Sequence, residues 1–346
     1  MTTQTAEKSA VPEIRDIDYG RTVERSLAHR SAISEVFVTD VRTLRPMAVT
    51  AGIHLPLTHL YYSDHTQRPK LHDPLLFLEA GRQVSIVGSH VHVGIPIETV
   101  AIVNTFQFAM RNLHALEIGA DFGPPRIDTD FFGAPARHSR RFRKGRLVQR
   151  IFMGDVHVGD HSMDVLFLKK HENEILRHAQ RGTPAPLSSE FGEHAGLPAT
   201  GRVDPELVGR DNPLNVVLAE PVVTDESVTA LVVPRFDNPA LFDHAYDHLP
   251  AMTLVEAARQ AAVFSAGAAG RPAGRPPLPM YAAGYEAEFY RFAELDVPLT
   301  VTADRVAPGA ARHTIRLRFR QGPEEIAALT VTVVDTSRMP DREESP

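Results

Sequence analysis

The chain of 346 residues contains no cysteine. That absence excludes disulfides, thiolate metal sites and a cysteine acyl-enzyme. No apolar run approaches the roughly 18 to 20 residues that a membrane span requires. Met1 to Pro12 is polar and lacks the apolar core of a signal peptide. The sequence therefore reads as a soluble cytoplasmic protein. Charge of either sign is in small excess only. A formal net charge of −6 is mildly acidic and gives no nucleic-acid footprint. No nucleophile-elbow sequence supports Ser-His-Asp catalysis. What remains is an ordinary apolar fraction of 43% and enough length for two domains.

Within that unremarkable composition one stretch occurs twice. Pro74-Leu75-Leu76-Phe77-Leu78-Glu79-Ala80-Gly81-Arg82-Gln83 returns as Pro250-Ala251-Met252-Thr253-Leu254-Val255-Glu256-Ala257-Ala258-Arg259-Gln260. In each, a proline opens an apolar run, where its missing N–H has no partner to lose. The run is apolar on nearly all sides, as in a helix buried in a large core. A single glutamate interrupts it, with Arg and Gln three and four residues on. A buried glutamate is costly unless paired. The arginine three residues away lies on a neighbouring part of the same face, so an intrahelical ion pair is one reading. The repetition of Glu-x-x-Arg-Gln on two apolar helices favours a shared pocket.

The flanks repeat as well. Arg30 precedes Glu35-Val36-Phe37-Val38-Thr39 by five residues, and Arg210 precedes Asn215-Val216-Val217-Leu218-Ala219 by five. The two glutamates lie 177 residues apart (79 to 256) and the two arginines 180 (30 to 210). A near-constant offset over that distance argues for a duplicated domain. The expected organisation is a polar arm over 1–25, a first domain over 26–172, a linker over 173–206, a second domain over 207–336 and a charged tail over 337–346. Strands are expected at Ile33 to Thr39, Val100 to Met110, Arg146 to Phe152, Met163 to Leu168 and Val228 to Val233. Four more follow the second helix, at Tyr281 to Phe292, Leu299 to Arg305, His313 to Arg320 and Ile326 to Val334. The basic run Arg137 to Arg146 reads as a solvated edge strand. A short polar helix is expected over Glu172 to Arg181.

A buried helix preceded by a short strand and followed by several antiparallel strands is the element order of a hotdog fold. Leu249-Pro250-Ala251 followed by Glu256 resembles the Pro-Gly and helix-borne glutamate of hydroxyacyl-carrier-protein dehydratases, with Ala251 in place of the usual glycine. More specifically, Asp243-His244-x-x-Asp247-His248-Leu249-Pro250-x-Met252 through Glu256-Ala257-Ala258-Arg259-Gln260 resembles the A-factor biosynthesis family, the γ-butyrolactone synthases. The first repeat matches with His29, Glu35 to Thr39 and Leu78 to Gln83. It departs in having His72-Asp73-Pro74-Leu75 where the second has His248-Leu249-Pro250-Ala251. The resemblance covers about residues 26 to 336. It implies an α+β tandem hotdog with two antiparallel sheets, each wrapped around a central helix. It further implies transfer of a β-ketoacyl group from acyl carrier protein to the hydroxyl of dihydroxyacetone phosphate. The product leads to a γ-butyrolactone, butenolide or furan signalling molecule that regulates antibiotic production. The alternatives are a dehydratase or thioesterase on acyl thioesters, or a non-catalytic acyl-ligand-binding regulatory protein.

Attack of an alcohol on a thioester needs a base, donors for the developing oxyanion, and a hold on both substrates. Burial of Glu256 and Glu79 is expected to raise their pKa toward that of a general base, with Glu256 the principal one. The N-terminus of the same helix offers free N–H groups for the thioester oxygen. Arg259 and Arg82 are the candidate phosphate ligands. Gln260 and Gln83 orient the glutamate or a substrate oxygen. His244 and His248 are further catalytic candidates, against the plainer reading of structural loop histidines. The Asp-His-x-x-Asp-His pattern lacks an accompanying cysteine or carboxylate cluster, so no metal and no cofactor are expected.

Overall fold

The structure, a computed structural model, describes residues 17–133, 135, 141–192, 201–268, 280–306 and 310–338. Most of the polar arm, part of the basic run, part of the linker and the end of the charged tail lie outside the described residues. The first half contains β1 (Val38–Arg45), β2 (Ala48–Ile53), α1 (Pro74–Gly88), β3 (Val100–Met110), β4 (Pro125–Phe132), β5 (Lys144–Met153) and β6 (Val156–Leu168). Helix α2 (Lys170–Arg181) follows. The second half contains β7 (Leu218–Val223), β8 (Ser227–Val232), α3 (Ala251–Val263), β9 (Met280–Phe289), β10 (Thr300–Asp304), β11 (Arg312–Gln321) and β12 (Glu324–Asp335).

These strands form one antiparallel sheet in the order β1-β2-β4-β5-β6-β3-β9-β12-β11-β10-β8-β7. The order reads the same from both ends once each strand is matched to its repeat. The halves meet edge to edge where β3 pairs with β9, Phe108 opposite Tyr285. Alternation sets the inner face. Along β11, Ile315, Leu317 and Phe319 are buried while Arg316, Arg318 and Arg320 face out. Each such buried side chain contributes about 1.5–3 kcal/mol. Helix α1 packs on β1, β2, β4 and β5, and α3 on the strands of the second half. This is the tandem hotdog. No helix among the described residues is long and apolar enough to cross a membrane.

Strand β2 was not among the expected strands, and the elements differ from expectation in four further places. Residues Ile33–Glu35 form a 3-10 turn, and the first strand begins only at Val38. The Glu35 carbonyl and the Phe37 N–H are bonded to the Gln83 side chain and not to a neighbouring strand. Strand β4 is polar enough to escape a pattern search, with Arg126, Asp128 and Asp130 in its middle. It is held by pairing on both sides, and Asp128 accepts from Thr50 Oγ1 at 2.7 Å. The start of β5, which carries the end of the basic run, is interior to the sheet; the edges are β1 and β7. Helix α2 runs across the 172/173 boundary. It ties the halves together, with Arg177 on Glu294 and Asp247, and Arg181 on Asp296.

Candidate active site

The two helices enter the sheet with different N-termini. Asp73 caps α1, its side chain accepting the Leu75 N–H at 2.9 Å. Pro250 precedes α3 and has no side-chain oxygen to offer, so that end is uncapped.

One turn further in, each helix carries its glutamate into a cluster of the same design. Arg82 grips Glu79 with two bonds, Nε to Oε2 at 2.8 Å and Nη2 to Oε1 at 2.9 Å. Arg259 grips Glu256 the same way, at 2.9 and 2.8 Å. A second arginine arrives from the loop before each half's first strand: Arg30 on Glu79, and Arg210 on Glu256 at 3.0 Å. This is the function of the repeated Arg30 and Arg210 spacing. Gln83 donates to Glu79 Oε1 at 2.7 Å and to the Glu35 carbonyl, and accepts the Phe37 N–H. Gln260 donates to Glu256 and to the Asn215 carbonyl, and accepts the Val217 N–H. Both amides are fully used in holding the glutamate and the chain before the strand.

Each cluster is completed by a loop from the other half. Asp243 reaches Arg30 at 3.2 Å and the Ser31 N–H at 2.9 Å. Its counterpart Asp64 accepts from the Asn212 N–H at 2.9 Å and Asn215 Nδ2 at 2.6 Å. From the same loop as Asp64, Tyr61 donates its hydroxyl to Glu256 Oε2 at 2.7 Å. The two Glu-x-x-Arg-Gln segments thus occupy separate clusters, not one shared pocket.

Burial acts against the charge of both glutamates, but the arginines outweigh it. Glu79 is held down at about 2 by Arg30 and Arg82, and Glu256 at about 2 by Arg210 and Arg259. The expected rise toward neutrality is overturned: desolvation alone would raise them, and two guanidinium groups each reverse its sign.

The clusters part company in access. A cavity of about 660 Å³ is lined by Arg30, Glu79 and Arg82, and by Pro250, Ala251 and Met252 at the uncapped end of α3. Neither Glu256, Arg210 nor Arg259 lines it. The Arg82 side chain is 28% exposed, while those of Arg210 and Glu256 are 0% exposed. The helix N-terminus facing Glu79 therefore belongs to α3, the helix of the other repeat. His244 and His248 also line the cavity. Each is held through Nδ1 by the preceding aspartate, Asp243 and Asp247, at 2.6 Å. That geometry leaves Nε2 of each to act on a ligand. Among the described residues no group of three or more His, Asp or Glu is arranged to hold a metal.

Three cavity residues carried no site role in the sequence reading, although Asp243 and His29 belong to the stretches that resemble the family. Arg30 was visible only as a spacing. Asp243 links Arg30 to His244 across 213 residues of chain (30 to 243), which no local pattern reveals. His29 has a positive φ of 51° and contacts His90, Nε2 to Nε2, at 3.0 Å. Burial, with His90, Arg82 and His244 nearby, lowers its pKa to about 4. His65 and His72 do not line the cavity, and His65 is buried on the Leu71 carbonyl at 2.8 Å.

Residues 15–167 and 193–337 match the A-factor biosynthesis hotdog domain. A protein of Streptomyces virginiae, named 2-oxo-3-(phosphooxy)propyl 3-oxoalkanoate synthase, is 28% identical over 82% of this chain and 87% of its own. A protein of the same name from Streptomyces griseus is 30% identical over 84% of this chain and 88% of its own. Among solved structures, the dehydratase domain of RzxB from Pseudomonas fluorescens aligns with 86% of this chain and 97% of its own, at 11% identity and a TM-score of 0.46. With both halves matched and the length covered from arm to tail, the chain belongs to the A-factor biosynthesis hotdog family.

Proposed function

We propose that the chain is an acyltransferase. It moves a β-ketoacyl group from a thioester on acyl carrier protein to the free hydroxyl of dihydroxyacetone phosphate. The relatives' name describes the ester so formed, a 3-oxoalkanoate of the 2-oxo-3-(phosphooxy)propyl alcohol. In this reading the product is a precursor of a γ-butyrolactone-type, butenolide or furan signalling molecule. The working repeats are 26–172 and 207–336, and the site lies between them.

The observation that carries the reading is one cavity holding both a paired-arginine anion site and an uncapped helix N-terminus. The roles follow from the chemistry. Arg82 uses Nε and Nη2 on Glu79, which leaves Nη1 for a phosphate oxygen, with Arg30 beside it. Glu79, ionised at about 2, is a poor base near neutrality and serves to aim both arginines. The Ala251 and Met252 N–H groups meet the thioester oxygen as it gains charge. His244, steadied by Asp243, takes the hydroxyl proton on Nε2 as the alcohol oxygen bonds to the thioester carbon. The carbon–sulfur bond then breaks, and the proton passes to the departing sulfur. Gln83 positions Glu79. Glu256, Arg259 and Gln260 take no direct part, which moves the principal role from the second helix to the first. His248 lines the same cavity and is the second candidate base.

Mass spectrometry of the purified protein with a β-ketoacyl thioester and dihydroxyacetone phosphate tests this. The expected product is the phosphorylated ester. Free acid alone would make the chain a thioesterase, a dehydrated acyl thioester would make it a dehydratase, and no turnover would favour a binding protein. His244→Ala should lower kcat by about 10²–10⁴.

A further inference from the structure

We propose that the Glu256 cluster takes no substrate and instead positions the wall of the working pocket through Tyr61, so that the two clusters are coupled and one site turns over per chain. This rests on the acyltransferase reading. The duplicated motif shows what closes the second site. Tyr61 Oη donates to Glu256 Oε2 at 2.7 Å, occupying the carboxylate. Arg210 donates from Nη1 to the Tyr61 carbonyl at 2.5 Å, and its guanidinium lies 4.3 Å from the centre of the Tyr61 ring. Aligning Asp64 with Asp243 puts Ala240 where the first cluster would need such a tyrosine. An alanine cannot reach Glu79, so that cluster stays open to the cavity. The other requirement fails at the second site too, because the α1 N-terminus is already satisfied by Asp73.

The closed cluster still touches the open one. Tyr61 and Tyr62 both line the cavity, and their rings meet edge to face at 4.8 Å. Tyr62 in turn packs edge to face on Phe37 at 5.3 Å, whose N–H is held by Gln83 of the first cluster. A buried carboxylate fixed by two arginines is a rigid anchor for a tyrosine hydroxyl. Glu256 and Tyr61 are therefore positioning residues.

Two measurements test this. Titration calorimetry with dihydroxyacetone phosphate should give one equivalent per chain, and none for Arg82→Ala. Two equivalents in the wild type, or one remaining in Arg82→Ala, would overturn the single site. No binding to the wild type would overturn the acyltransferase reading itself and this inference with it. Tyr61→Phe keeps the ring and removes only the hydroxyl on Glu256. It should remain folded at assay temperature and raise KM for the thioester about tenfold, with kcat within about threefold. An unchanged KM in Tyr61→Phe would overturn the coupling.

Discussion

Replacing each buried glutamate by glutamine should separate stability from activity in opposite directions. In Glu256→Gln, Arg210 and Arg259 lose their shared anion. Their side chains are 0% and 6% exposed, so water cannot replace it. Breaking a buried ion pair by removing one partner costs about 3–5 kcal/mol, because it strands an uncompensated charge. Here two cations are stranded, and a loss of about 4 kcal/mol is a large share of the ~5–15 kcal/mol that holds a typical domain. In Glu79→Gln, Arg30 keeps Asp243, and Arg82 is open enough to be solvated. That variant should lose only about 1–2 kcal/mol. Urea unfolding followed by circular dichroism gives both values, with unchanged m confirming that the native states are comparable. Transfer should fall most in Glu79→Gln, the better-folded variant. If Glu256→Gln unfolds within about 1 kcal/mol of wild type, or Glu79→Gln retains full transfer, the reasoning about which cluster is sealed is wrong.

Arg82→Lys should raise KM for dihydroxyacetone phosphate by about tenfold while thioester affinity is unchanged, since an ammonium cannot reproduce the fork; equal loss for both substrates would remove the phosphate role. The folded pKa of about 2 at Glu79 and Glu256 lies below the ordinary 4.5, so their contribution is present above pH 4.5 and lost as pH falls toward 2. Acid unfolding should steepen in that window, and stability flat from pH 5 to 2.5 would contradict the pairing. Gly81→Ala would set its new carbon 2.6 Å from Gln149 Oε1. It should cost about 1–3 kcal/mol by thermal unfolding, and a neutral result would mean that this layer has slack. Met163 is buried and lines the apolar side of the cavity. Met163→Ala should shift preference toward longer acyl chains in a competition assay, and an unchanged profile would place the chain elsewhere.

The repeated helix, its glutamate and its arginine were legible because they are local: three- and four-residue spacings fix what shares a helix face. So were most strands, because burial on one side imposes a period of two. Strand β4 was not, since Arg126, Asp128 and Asp130 are paid for by pairing partners distant in sequence. The near-constant offset between repeats revealed the duplication, and Arg30 and Arg210 within it, but not their target. Which cluster faces the cavity could not be read locally. Both helices carry the same motif, and the fuller loop motif precedes the second. The fold delivers that loop, with Asp243 and His244, to the first helix, and delivers Tyr61 to the second. Sequence alone determined the parts and their pairing along the helix. Tertiary structure decided which pocket is open, because the direction of each glutamate's pKa shift depends on an arginine brought in from 49 or 46 residues away, and its access to a ligand depends on a loop delivered from the other half.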